Sequence, residues 1–169
     1  MYVGTGEAKP RNDASYGDGI WASTDGGTHW AHRGLANSQA IARIVVDPRD
    51  SRRLLVGVLG NPYADSSERG VYVSSDSGRT WRRTLYAGPQ SGIADLASDA
   101  RDGAVVFAAV WQFRRVPWSF TSGGPQDGLW RSGDRGETWT KCSGRGLPAG
   151  TMGRIGIAVA RATRSASMW

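Results

Sequence analysis

The residues best suited to chemistry in this chain are dispersed carboxylates and one knot of arginine and aromatic side chains. Glu7, Asp13, Asp18, Asp65, Glu68, Asp95 and Asp127 all fall in or beside segments rich in turn formers. Two carboxyl groups about 5 to 9.5 Å apart, one with a raised pKa, can cleave a glycosidic bond. Glu7, Asp13 and Asp18 come nearest to such a set, because they share one short stretch. Spacing alone does not separate an acid from a nucleophile. Asp13 beside Asn12 is also an ordinary turn former, and Glu7 is placed to pair with Arg11.

The knot runs Trp111-Gln112-Phe113-Arg114-Arg115-Val116-Pro117-Trp118-Ser119-Phe120. Aromatic faces stack on sugar rings and other planar groups, and arginine forks hold carboxylates or phosphates. Arg114, Arg115 and Trp118 are therefore candidate ligand-binding residues for a glycan or an acidic peptide. The same stretch can instead be a long loop whose tryptophans, Trp111 and Trp118, only anchor it.

Other chemistries find less support. His29 and His32 read as solvated or satisfied strand histidines, so no metal is expected, and no cofactor. Cys142 is the only cysteine, which excludes an internal disulfide and a multi-cysteine metal site within this chain. Gly4-Thr5-Gly6 lacks the helix that must follow a nucleotide-binding glycine loop. No serine sits in a nucleophile-elbow motif. The formal net charge is +6, but the arginines are scattered through turns rather than gathered in one block, so no nucleic-acid partner is expected. No apolar run approaches the length of a membrane span.

The elements that must position these groups are short strands. Twenty-four glycines and eight tryptophans among only 39% hydrophobic residues describe many strands joined by tight turns and packed through aromatics. Ile41–Pro48, Leu54–Leu59, Gly70–Val73 and Trp81–Tyr86 read as four strands. Between the last two lies Ser74-Ser75-Asp76-Ser77-Gly78-Arg79-Thr80-Trp81, of the form S-x-D-x-G-x-T-W. It recurs from Ser132 to Trp139, and from Ser23 to Trp30 with His29 in the threonine place. Its Asp can accept from its own turn's amides, and its Gly can supply a positive φ. Its Trp buries a large surface where the next strand begins.

Asp25, Asp76 and Asp134 lie 51 and 58 residues apart, a period that marks stacked supersecondary units. The expected fold is all-β, a partial β-propeller of four-stranded antiparallel blades. Two blades are complete (41–86 and 91–143) and two partial (1–35 and 153–169), with Tyr2–Thr5 matching Leu55–Val58 and a fourth unit opening at Gly153–Val159. The Asp-turn residues, Ser23, Asp25, Gly27 and Trp30, Ser74, Asp76, Gly78 and Trp81, Ser132, Asp134, Gly136 and Trp139, are expected to be structural.

The three frames resemble Asp-boxes, or BNR repeats. With Gly4-Thr5-Gly6-Glu7 and Tyr16-Gly17-Asp18-Gly19-Ile20 they resemble the bacterial sortilin-like (VPS10-like) propellers often named BNR-repeat glycosyl hydrolases. The resemblance covers residues 2 to 160 or so. It implies an extracellular or periplasmic protein whose remaining blades complete the ring, with ligands on the rim opposite the Asp-boxes. Neither the arginine triad nor the Tyr-Glu pair of a sialidase has a match here. The expected function is a non-catalytic module binding peptide or glycan on the loop rim through Arg114, Arg115 and Trp118. The alternative is a glycoside hydrolase whose site is shared among blades.

Overall fold

The computed structural model describes residues 1–101, 103–144 and 146–160. They form three antiparallel sheets and, apart from one 3-10 turn at Ala36–Ser38, no helix. None is therefore long and apolar enough to cross a membrane.

The first sheet is β1 (Tyr2–Gly4), β2 (Ile20–Ala22) and β3 (Ala31–His32), in that order. The second is β4 (Ile41–Val46), β5 (Leu54–Val58), β6 (Gly70–Ser74) and β7 (Arg82–Leu85), again in chain order. The third has β9 (Val106–Val116) at its centre, flanked by β8 (Ser91–Ser98) and β11 (Gly128–Ser132), with β12 (Thr140–Lys141) beyond β11. Matching registers tie the last two sheets together. Leu54 pairs with Ser74 and Val58 with Gly70, just as Val106 pairs with Ser132 and Val110 with Gly128.

β5 and β6 are buried along their whole length. The physical reason is that alternate side chains of these strands face opposite sheets. Val56, Val58 and Tyr72 meet Ile20 and Ile41 on one side. Leu55, Val71 and Val73 meet Ile93, Leu96, Val106 and Ala108 on the other. Close approach depends on glycine. A Cβ at Gly57 would lie 2.7 Å from Cγ2 of Ile93, and one at Gly4 would lie 2.5 Å from Cγ2 of Ile41. Gly4 and Gly57 are repeat equivalents, and so are Ile41 and Ile93. The third sheet has Ala109 at this position.

Two expectations are corrected. The stretch 112–127 is not an open loop: β9 continues to Val116, turns at Pro117 and Trp118, and returns as β10 (Ser119–Ser122) in a two-stranded ribbon. Gly153–Val159 forms no strand, although Ile155 and Ile157 do pack against the cluster of Ala40, Leu59, Ala94, Ala109, Trp111 and Phe113. The alternation there is real, but only the Ile157 amide reaches a partner on β8, Asp95. The end of the expected fourth unit, 161–169, lies outside the described residues.

Candidate functional site

The Asp-turns hold their carboxylates in closed networks. Asp76 Oδ1 accepts from Ser74 Oγ (2.8 Å) and from the amides of Arg79 and Thr80 (both 2.9 Å), while Oδ2 accepts from Thr80 Oγ1 (2.7 Å). Asp134 repeats this with Ser132 and Thr138. In the first copy His29 replaces the threonine: its amide donates to Asp25 Oδ1 and its ring Nδ1 lies 2.6 Å from Oδ2. The His29 amide and ring hold Asp25 down at about 2, and the Thr80 hydroxyl and amide with the Ser74 hydroxyl lower Asp76 further. For Asp134 the hydroxyls of Ser132 and Thr138 do the same. A carboxylate so fully donated to is a poor general acid.

Each turn also carries a residue of positive φ before its glycine: Gly26, Ser77 and Arg135, at φ 74, 64 and 63. The sequence pattern assigns only the following glycine this duty. The tryptophans reach backward across the sheets. Trp81 Nε1 donates to Arg33 O at 2.6 Å, and Trp139 Nε1 to Thr84 Oγ1 at 3.1 Å. Trp30 bonds only within its own turn, to Gly27 O, and is 38% exposed.

The arginine and aromatic knot lies on the ribbon, but its members are not gathered around one cavity. Arg114 Nη1 pairs with Asp65 Oδ1 at 2.6 Å. The Arg115 amide donates to Pro62 O, and its guanidinium donates to Asn12 Oδ1. These contacts brace the ribbon against the segments 7–17 and 60–69. Trp118, at the ribbon's turn, is 85% exposed, whereas Trp111 is buried and stacked on Phe113 at 4.6 Å. Arg69 is fully buried beneath the same cluster, with its guanidinium carbon 4.4 Å from the Phe113 ring centre. Burial brings its pKa down to about 10.

A cleft of about 990 Å³ opens beside this knot. It is lined by the segment Glu7–Arg11, by Ala42, Arg43, Ala94 and Asp95 of β4 and β8, and by Trp111, Phe120 and Arg154. Arg43 Nε donates to Asp95 Oδ1 at 2.8 Å. Asp95 also accepts from the Leu96 amide and, through Oδ2, from the Ile157 amide, both at 2.9 Å. Burial opposes the charge, but the Arg43 guanidinium and the two amides outweigh it and the pKa falls. Glu7 accepts from the Ser15 amide at 3.0 Å and lies 3.7 Å from Arg11.

Of the carboxylates named from sequence, Glu7 and Asp95 line this cleft, and Asp13 and Asp18 do not. Asp18 binds the Trp21 indole at 2.8 Å, which lowers its pKa, and receives the Thr5 hydroxyl. Asp127 is the carboxyl whose pKa burial raises; it is 5% exposed, takes the Gln112 amide, and lies outside the cleft lining. Asp127, with its raised pKa, therefore does not face the cleft, and Asp95, which does, has a lowered one. Among the described residues no group of three or more His, Cys, Asp or Glu is placed to hold a metal ion.

Lys9, Arg43, Phe120 and Arg154 were not singled out by sequence reasoning. The signal for Arg43 was present: Arg43 and Asp95 hold the same place in successive repeats, with opposite charge.

No family model matches the chain, and a search of curated proteins gives no match. Among solved structures the chain is similar to an ancestral GH74 enzyme, with a TM-score of 0.56 and 20% identity over 75% of this chain. It is also aligned with a GH74 enzyme of Niastella koreensis, at 15% identity over 83% of this chain and 27% of that one, with a TM-score of 0.47. The chain spans about 15% of the length of the ancestral enzyme. At this identity the likeness is one of fold.

Proposed function

We propose that this chain is part of an Asp-box β-propeller of the sortilin-like kind, with blades at 41–86 and 91–143 and partial blades at 1–35 and 153–169. Its cleft binds carbohydrate without cleaving it. The observation carrying this reading is a large cleft lined by two carboxylates, Asp95 accepting at both oxygens and Glu7 accepting from the Ser15 amide, beside the exposed ring of Phe120. The fold likeness to a GH74 enzyme supports a glycan over a peptide as the ligand. Sugar rings present flat C–H faces that pack on aromatic and proline surfaces, here Phe120 and Pro10.

The test is affinity electrophoresis of the protein in gels containing soluble polysaccharides. Phe120→Ala is expected to weaken retention several-fold, while Trp118→Ala and Arg115→Gln, which lie outside the cleft lining, leave it nearly unchanged. Retention by no polysaccharide overturns the reading. A second reading, a glycoside hydrolase with its site shared among blades, is favoured by Glu7 standing on the cleft wall. Release of reducing ends from any bound polysaccharide, lost in Glu7→Gln, would establish it instead.

A further inference from the structure

We infer that the ligand of this cleft is an acidic glycan, one whose sugar units carry carboxylates. The inference rests on the glycan reading of the same cleft and concerns the ligand's charge. Four cations line the cavity, Lys9, Arg11, Arg43 and Arg154, against two carboxylates, Glu7 and Asp95. The hydrogen-bonding capacity is still more one-sided than the charge. Both oxygens of Asp95 are engaged, and Glu7 is shared between the Ser15 amide and Arg11. Arg43 donates to Asp95 through Nε on a side chain that is 53% exposed. Arg11 is only loosely held at 3.7 Å. Lys9 and Arg154 are exposed and make no ion pair among the described residues.

The cavity thus has a surplus of charged donors over carboxylates. A neutral sugar hydroxyl can accept from these groups, but a carboxylate matches an arginine fork in both geometry and charge. All four cations line the same space, so a run of uronic-acid units held in the cleft would meet several cationic donors.

The experiment measures binding of the intact chain to polygalacturonate, to a neutral galactan and to poly-L-glutamate, at low and high salt. Polygalacturonate is expected to bind most tightly and to weaken as salt rises. In Lys9→Gln/Arg154→Gln its affinity falls about tenfold or more. The charge-matched pair Arg79→Gln/Arg131→Gln, away from the cleft, changes it less than about twofold. These are exposed positions, and equal thermal unfolding of the variants excludes misfolding. Tighter binding of the galactan overturns this inference and leaves the glycan reading standing. Binding of poly-L-glutamate alone overturns both in favour of an acidic peptide. Equal losses in the two double variants show attraction by overall charge and overturn the inference as well.

Discussion

Arg43 donates through Nε to Oδ1 of Asp95 at 2.8 Å, and the two residues occupy the same place in successive repeats, two residues after Ile41 and Ile93. The next residue in that series, Ile157, donates its amide to the other oxygen of Asp95. One carboxylate therefore joins β4, β8 and the segment at Ile157. Both β4 and β8 bulge just before it, between Ile41 and Arg43 and between Ile93 and Asp95, which turns these side chains toward each other.

Asp95→Ala should cost about 2 to 3 kcal/mol, since it removes charge-assisted bonds from a residue only 8% exposed. Arg43→Gln should cost less, because Arg43 is half exposed. Urea denaturation gives the energies. Limited proteolysis should show faster cleavage within 153–160 for Asp95→Ala and not for Arg43→Gln.

The Asp-turn carboxylates make stability depend on acid. Their folded pKa values lie below the unfolded value of about 3.9. The stability they confer is present above that value and is lost as pH falls through it toward 2. Thermal unfolding followed by circular dichroism should show a steep decline over this window. Asp76→Asn should be clearly less stable than the parent at pH 7, with the difference shrinking as pH drops from 5 to 2.

Gly57→Ala should destabilise by about 1 to 3 kcal/mol, because the new methyl would lie 2.7 Å from Ile93 Cγ2. Ile93→Ala costs about 2 to 5 kcal/mol on its own. In the Gly57→Ala background the loss should be markedly smaller, since the added methyl occupies part of the space vacated. A double-mutant cycle from denaturant midpoints measures the coupling.

The tryptophans of the three turns should respond unequally. Trp81→Phe loses the bond to Arg33 O across the sheet boundary and should cost about 1 to 2 kcal/mol. Trp30→Phe loses only a bond inside its own exposed turn and should cost under about 0.5 kcal/mol. Thermal melts of the two variants check this order.

Much of the fold was legible in local pattern. Leu54–Val58 and Gly70–Ser74 are short β-branched and aromatic runs bounded by turn formers, and the Asp-turn frames mark where one strand gives way to the next. The ribbon of β9 and β10 was hidden because Arg114, Arg115 and Pro117 break the apolar pattern that identifies a strand. Its ladder is instead secured by side chains from distant loops, Asp65 and Asn12. The candidate cleft was hidden for a related reason. Its members come from residues 7 to 154, and only packing of successive sheets brings Glu7, Arg43, Asp95 and Arg154 around one space. Glu7 alone of the three weak catalytic candidates reached it, because Asp18 is tied to Trp21 and Thr5.

The glycines facing isoleucine carry a geometric consequence. At Gly4 and Gly57 a single hydrogen separates one sheet from the first strand of the next, while Ala109 sets a methyl at the same place. Close approach of neighbouring sheets at Gly4 and Gly57 thus depends on the absence of one methyl group. A side chain larger than hydrogen at Gly4 or Gly57 would push on the isoleucine of the next sheet without altering a single strand pairing.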